Sequence, residues 1–411
     1  MTTMRAPLKP LDDALLELLG FAVPTRAPVT LSTFEADGRV LAEDVVSGLQ
    51  VPPQDNSSMD GYALRSADAL ILGSQLRVSQ RIAAGNSGHA LEPGTSARIF
   101  TGAPIPPGAD AVVMQEDCEP VEGQADLIRV LSAPTPGQWV RRSGEDVTQG
   151  AVVLARGDRL TPASLGLAAS IGRAELTVAP KPRVALFSTG DELVMPGDVA
   201  PADMRPGAIY NSNRFFLRAL LLRLGCDVTD YGIVPDQREA TISALRDAAV
   251  AHDLILTSGG VSVGEEDHIK PAVQALGELN LWQIAIKPGK PFAYGRVGMA
   301  HFMGLPGNPV SSFVTFLALV RPFLLKLQGA RCLSSAAISL PAHFNWGRPD
   351  KRREFLRVRR NARGGLDLFP NQSSGVLTSA VWGDGVIDNP PGQAIAHGDV
   401  VRFIPFSELM S

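Results

Sequence analysis

The stretch that most restricts the fold is residues 181–329. There RVALFS, a helical pattern carrying Leu217, Leu220, Leu221 and Leu224, CDVTDYGIV, a second helical pattern over 236–251, and DLILTS follow one another. Apolar strands separated by segments long enough for a crossover helix close into a parallel sheet covered on both faces. This alternation predicts a doubly wound α/β sheet. WQIAIK, FAYGRV and AHFMGL add strands, and a helix over about 310–327 follows PGNP. Within the stretch, DLILTSGGVSVGEEDHIK (253–270) reads as a buried strand, a glycine-rich loop with carboxylates and a helix start. A further strand runs straight into IKPGKPF (286–292).

A chain of 411 residues exceeds one ordinary core, and about 150 residues per domain leads to several domains. Residues 1–50 begin with an amphipathic helix. Its Leu11, Leu15 and Leu18 keep helical spacing while Asp12, Asp13 and Glu17 interrupt the apolar run, unlike a signal peptide. Residues 51–145 alternate short β segments with Pro and Gly, the pattern of a compact β domain. Residues 146–180 return to the character of 1–50, with a helix capped by Thr161 and opened by Pro162. The β domain therefore reads as an insertion into a discontinuous elongated domain made of 1–50 and 146–180. Residues 330–411 carry short β segments (AISLPAHF, EFLRVRR, DLFP, DVVRFIPF) that suggest a small β-barrel. The expected class is multidomain α/β plus β.

A net charge of -4 gives no global reason to expect nucleic acid. The most apolar late run, 313–327, is broken by Arg321 and Pro322 and falls short of the roughly 18 apolar residues of a membrane span. Cys118, Cys226 and Cys332 lie far apart without a CxxC pair, so each is read as a packed thiol in a reducing cytosol. The histidines look scattered and none accompanies a nucleophile, which leaves covalent catalysis unsupported. His268, beside the acidic cluster, is read as structural.

Ligands of open α/β sheets bind where loops converge at the carboxyl ends of the strands. Acidic residues fall there: Asp191 and Glu192 after the first strand, Asp236 after the second, Glu265, Glu266 and Asp267 after the third. Asp236 could equally be a helix cap. Taken jointly, such oxygen ligands hold Mg²⁺ beside substrate phosphates. Gly259 and Gly264 have P-loop spacing, but Glu265 stands where the lysine belongs. What remains is either an anion cradle of backbone N–H groups or a turn without ligand. Lys287 and Lys290 repel each other unless an anion lies between them; the alternative is two independent exposed lysines. GLPGNPVSS (304–312) is another strand-to-helix junction. Asp60 in NSSMDGYA and Thr101 in TGAPIPPGADAVVMQE are polar contacts or ordinary turn residues. In the tail, Lys351, Arg352, Arg353, Arg357, Arg359 and Arg360 form either a solvated face or an anion-binding wall.

Taken in order, NSSMDGYA, TGAPIPPGADAVVMQE, STGDEL, NSN, SGGVSVGEED, IAIKPGKPFA and GLPGNPVSS make the chain resemble, over nearly its whole length, the molybdopterin molybdenumtransferase family: MoeA and the E domain of gephyrin. The resemblance implies an elongated homodimer, with an α/β domain related to the molybdopterin adenylyltransferase fold. It implies a reaction in which molybdate enters adenylylated molybdopterin while Mg²⁺ assists cleavage of the phosphoanhydride and AMP leaves. Carried over by motif, Asp60, Thr101, Glu192, Asp236 and Asp267 would be catalytic, with Glu192, Asp236 and Asp267 holding the metal. Ser258, Gly259, Gly260, Lys287 and Lys290 would bind the cofactor, and Arg352 and Ser374 match more loosely. In the family the site lies at the dimer interface, so Asp60 and Thr101 would face the α/β sheet of the other subunit. The resemblance also implies a cytoplasmic protein that meets molybdopterin adenylyltransferase and recipient molybdoenzymes. The segment SAVWGDGVIDNPPG (379–392) departs from the family's pattern, and contacts from that loop do not transfer. Two rival readings are a molybdopterin adenylyltransferase, which the additional β domains oppose, and a non-catalytic scaffold, which the retained carboxylates and lysines oppose.

Overall fold

The computed structural model describes residues 8–234, 237–260 and 269–410. Among these, the central sheet has six strands in the spatial order Asp227–Ile233, Arg183–Ser188, Leu254–Ser258, Ala300–Leu305, Pro291–Val297 and Gly277–Gln283. The first four run parallel, as the alternation predicts. The other two turn back antiparallel. Only Gly298 and Met299 separate Pro291–Val297 from Ala300–Leu305, a link that closes a hairpin but cannot make the crossover a parallel neighbour needs.

Side chains along the central strands alternate between two cores. Val184, Leu186, Leu256 and Met303 face a large cluster with Leu217 and Leu221 of the helix Asn213–Arg223. Ala185, Phe187, Ile255 and Phe302 face a second, with Leu245 of Arg238–Ala251 and Ile269 and Val273 of Ile269–Leu276. The sheet is doubly wound. The larger core also takes Leu11, Ala14 and Leu18 of the helix Leu11–Phe21. This helix, expected to pack with the elongated segment, seats on the α/β core because the two-stranded ribbons that follow it offer too little apolar surface to cover it.

Residues 309–327 form one continuous helical run, whose middle, Phe316–Val320, widens into a π-type turn just before Pro322. A proline cannot donate to an ordinary helical turn, and the widening accommodates that. Contrary to the reading based on Arg321 and Pro322, this helix is long and apolar enough to cross a membrane. Yet 89% of its apolar window is buried inside the protein, where it is the main helix of the large core.

The two flanks pair with each other: Val29–Ser32 with Glu175–Val178, and Val45–Val46 with Val152–Leu154. They enclose Leu41, Leu160, Ile171 and Leu176. The helix Pro162–Ser170 opens on Thr161, which forms a capping box with Ser164. Between the flanks lies a separate sheet that includes Gly61–Leu64, Gln75–Ile82 and Thr95–Ile99. In the tail, Ile338–Pro341, Arg353–Arg360, Leu366–Leu368, Gly385–Asn389 and Val400–Pro405 form a sheet that the Ala342–Leu366 bridge closes into a barrel. Ile286–Lys287 of the α/β part runs alongside Arg353–Arg360. Phe355, Val386 and Ile404 join the large α/β core, so barrel and sheet share one interior and hold each other in place.

Two expectations change. Cys226 is buried, but Cys332 is exposed, because it sits on the short connection from the helix Arg321–Leu327 to the barrel. The histidines are not all scattered either: His343 and His397 stack at 5.3 Å in the tail.

Candidate functional site at the strand ends

Three adjacent parallel strands finish in register, Ser188 opposite Ser258 and Ser258 opposite Leu305. The ladder continues one step further, with Thr189 N donating to Ser258 O at 3.3 Å and Gly259 N to Leu305 O at 3.0 Å. Gly259 has φ +96°, and a Cβ there would press on the Thr189 carbonyl at 2.5 Å; at Gly260 (φ +67°) it would meet Ile269 and the Thr189 hydroxyl. Only glycine lets the loop pass so close to the first strand. Asn213 ties the ends together, its Nδ2 donating to Ser258 Oγ and to Gly307 O, each at 2.7 Å. Among the described residues, Ser188 Oγ, Thr189 Oγ1, Asn211 Nδ2 and Asn213 Oδ1 are buried without a hydrogen-bond partner. Buried polar atoms in folded proteins are nearly always paired. Their concentration at this end of the sheet marks a place built for a polar ligand.

The loop between Lys287 and Lys290 lies against the first turns of the helix Pro309–Thr315. Thr315 Oγ1 donates to Gly289 O at 3.4 Å. Gly289 has φ +117°, and its missing Cβ leaves the space that Thr315 Oγ1 occupies. The barrel closes the same spot from the other side: the Ser374 carbonyl accepts from Val310 N at 2.9 Å, satisfying one of the free N–H groups at the helix start. The Lys287–Lys290 loop, through Gly289, and Ser374 thus pack on the same helix, Ser374 at its start.

Lys287 does not need an anion from solution to relieve its repulsion with Lys290. Its Nζ donates to Glu354 Oε1 at 3.1 Å and lies 3.5 Å from Asp350 Oδ2. Glu354 is fully buried and also accepts from Trp346 Nε1 at 2.8 Å and Asn389 Nδ2 at 3.4 Å. Asp350 is gripped by the Arg352 fork, Nε to Oδ1 at 2.9 Å and Nη2 to Oδ2 at 2.8 Å. Hydrogen bonds from Arg352, its charge and that of Lys287 hold the Asp350 carboxyl far below the usual carboxylate range. Lys290 has no ion-pair partner among the described residues.

Glu192 follows the first strand and is exposed. Its carboxylate folds back over Gly190, where a Cβ would collide with it. Among the described residues no three acidic, histidine or cysteine side chains gather as a metal site. Asp236 and Asp267, with Glu265, Glu266 and His268, lie outside the described residues. Asp60 and Thr101 do meet: the Thr101 N and Oγ1 both donate to Asp60 Oδ1 at 2.8 Å, and these bonds lower the Asp60 pKa. Both residues lie on loops of the insertion, and among the described residues no hydrogen bond or ion pair joins their side chains to the strand ends of the same chain.

Residues 9–172 match the MoeA N-terminal region (domain I and II), 185–326 a probable molybdopterin binding domain, and 339–406 the MoeA C-terminal region (domain IV). The molybdopterin molybdenumtransferase of Haemophilus influenzae is 41% identical, over 97% of this chain and 99% of its own. The chain belongs to the molybdopterin molybdenumtransferase family. A family member from Synechococcus elongatus is 36% identical over 90% of this chain and 92% of its own. The molybdopterin biosynthesis MoeA protein of Pyrococcus horikoshii OT3 superposes with a TM-score of 0.84 at 28% identity, over 97% of this chain and all of that one.

Within this MoeA-type fold, the arginine-rich strand is neither a solvated face nor a bare wall. Arg353 pairs with Asp388 and Asp12, Arg360 with Asp384, and Arg359 lies over the Trp382 ring. Arg357 is fully buried. Its guanidinium donates to Phe355 O at 3.0 Å, Ser379 Oγ at 3.1 Å and Ser373 O at 3.3 Å, and burial pushes its pKa down to about 10. Asp350, Glu354 and Trp346 escaped the sequence reading, as did the burial of Arg357. The available signal was the two-residue alternation of a strand, which sets Arg357 on the face of Phe355.

Proposed function

We propose that this chain inserts molybdenum into molybdopterin, taking adenylylated molybdopterin and molybdate as substrates and releasing AMP. The observation that carries the reading is that the Lys287–Lys290 loop and Ser374 pack on one helix, whose start lies beside the strand ends with their unpaired polar atoms. A helix N-terminus and a pair of nearby lysines both favour an anion carrying several charges. Ser258, Gly259 and Gly260 form the floor over which such a ligand would lie. Lys287 and Lys290, with Arg352 behind them, neutralise charge that grows on the leaving phosphate, a contribution worth roughly 3 kcal/mol per preorganised group.

Magnesium would be held by Glu192 together with Asp236 and Asp267. The exposed Glu192 carboxylate, folded back over the strand end, suits a hard cation that takes oxygen ligands. When bound, the ion supplies Lewis-acid polarisation of the phosphoanhydride oxygens. Asp60 Oδ1 is engaged twice by Thr101, which fixes the carboxylate and leaves Oδ2 to face a ligand. We assign this pair to the opposite wall, contributed by the second subunit of a cytoplasmic homodimer that receives substrate from the adenylyltransferase and passes cofactor to molybdoenzymes.

The test is AMP release from adenylylated molybdopterin on addition of molybdate, for the wild type, Lys287→Ala and Asp267→Asn. Release that depends on molybdate and falls in both variants supports the reading. ATP consumption without molybdate would make the chain an adenylyltransferase, and absence of both activities would make it a scaffold.

A further inference from the structure

The site's cations are not equally available, and one carboxylate controls this. Asp350 faces Lys287 of the α/β part at 3.5 Å and accepts both teeth of the Arg352 fork from the barrel. The Arg352 backbone N–H also donates to Asp350 Oδ1 at 3.0 Å. Its geometry is that of a bidentate anion held between an ammonium and a guanidinium. Unlike Glu354, which is fully enclosed and bonded to Trp346 and Asn389, the Asp350 side chain keeps 20% of its surface exposed. It is the one of these two carboxylates that a ligand could displace.

We propose that Asp350 is a specificity-determining residue that acts as an internal stand-in for ligand phosphate. Its carboxylate occupies Arg352 and shares Lys287 with the buried Glu354, so that only an anion carrying several charges takes these cations over. A singly charged anion gains one attraction at Lys290 and meets repulsion from Asp350. A pyrophosphate-like group contacts Lys290 and Lys287 together, and its larger charge outweighs the loss of the Asp350 contacts. The inference deepens the proposed function, since it rests on the strand-end site being the anion site. It adds that the ligand's charge is sorted there by a residue of the barrel.

The experiment measures binding of inorganic pyrophosphate and inorganic phosphate to the full-length protein by calorimetry at low ionic strength. The proteins are wild type, Asp350→Asn, Asp350→Glu and Lys287→Ala. Asp350→Asn keeps the shape and a hydrogen-bond acceptor for Arg352 while removing the charge. It is expected to tighten phosphate about tenfold and pyrophosphate less, so that the preference between them shrinks. The gain should fade with added salt, as exposed charges are screened. Asp350→Glu, which retains the charge, should keep the wild-type preference and serves as the control for folding. If Lys287→Ala weakens pyrophosphate binding but Asp350→Asn leaves the preference unchanged or weakens both ligands, the inference is overturned and the site reading stands. If neither wild type nor any variant binds pyrophosphate, the site reading falls and the inference with it.

Discussion

Ser374 and Val310, 64 positions apart in the sequence, are joined by a hydrogen bond of 2.9 Å from the Val310 N–H to the Ser374 carbonyl. The bond fixes a barrel loop on the helix terminus that borders the Lys287–Lys290 loop. The loop itself is held from behind by Arg357, whose Nη2 donates to Ser373 O. Gln372 adds to this grip, accepting from Arg357 N at 2.9 Å and donating to Arg357 O at 3.0 Å.

Arg357→Met should therefore act at a distance. The apolar side chain fills the space but leaves the carbonyls of Phe355 and Ser373 without their donor. Buried groups left unpaired cost about 1–3 kcal/mol each, so a loss of roughly 2–6 kcal/mol is expected. Urea denaturation checks that figure. Amide hydrogen exchange should show faster exchange at Val310 than at helix positions beyond Phe316, which a uniform loss of stability would not produce.

A second prediction concerns Gly289. Alanine there combines a positive φ of +117° with a Cβ driven against Thr315 Oγ1 and within 3.0 Å of Ile286 Cδ1. Backbone strain and overpacking together should cost about 2–5 kcal/mol. Removing the obstacle separates the two terms. Thr315→Ala in the Gly289→Ala background should recover part of the stability, leaving the strain. Full recovery, measured by urea midpoints, would show that φ carries no cost.

The strand alternation over 181–329 and the Thr161 cap could be read from the sequence because each rests on local spacing. Motif resemblance named Asp60 and Thr101 singly, but not their hydrogen bonds to each other, since 41 positions separate them. The hairpin edge of the sheet was missed although Gly298 and Met299 are too short a link for anything else. The partners of Lys287 could not be read at all. Asp350 and Glu354 reach it because Ile286–Lys287 lies beside Arg353–Arg360, a pairing between segments that no periodicity connects. Arg357 was hidden among arginines whose spacing looks alike, although one is buried and its neighbours are paired or exposed.

The cysteines give a chemical check on the packing. Cys226 is 4% exposed, and burial pushes its thiol, like that of Cys118, up to about 12. A disulfide reagent attacks the thiolate, so both should react slowly at neutral pH. Cys332 is exposed and should account for the fast phase of native labelling. Cys332→Ser should abolish that phase, while urea should expose Cys118 and Cys226. A fast phase that survives the substitution would contradict the buried placement of Cys226 and the half-buried one of Cys118.

His301 links stability to pH. It is 3% exposed, its Nδ1 lies 3.0 Å from the Tyr294 hydroxyl, and its ring meets Phe323 edge-on at 4.9 Å. Burial, aided by the charge of Arg296 and opposed by that of Asp253, lowers its pKa from 6.5 to about 4. The folded protein thus holds the imidazole neutral where the unfolded chain would already be protonated. Between pH 6.5 and 4 the unfolded state binds more protons, so stability falls as the pH drops through this window and the loss is complete below about 4. The full effect is on the order of 3 kcal/mol. His301→Gln keeps a polar group for Tyr294 but does not titrate. Urea midpoints from pH 7.5 to 4.5 should decline less steeply for this variant than for the wild type. Equal slopes would mean that His301 takes up its proton in the folded protein as readily as in the unfolded chain.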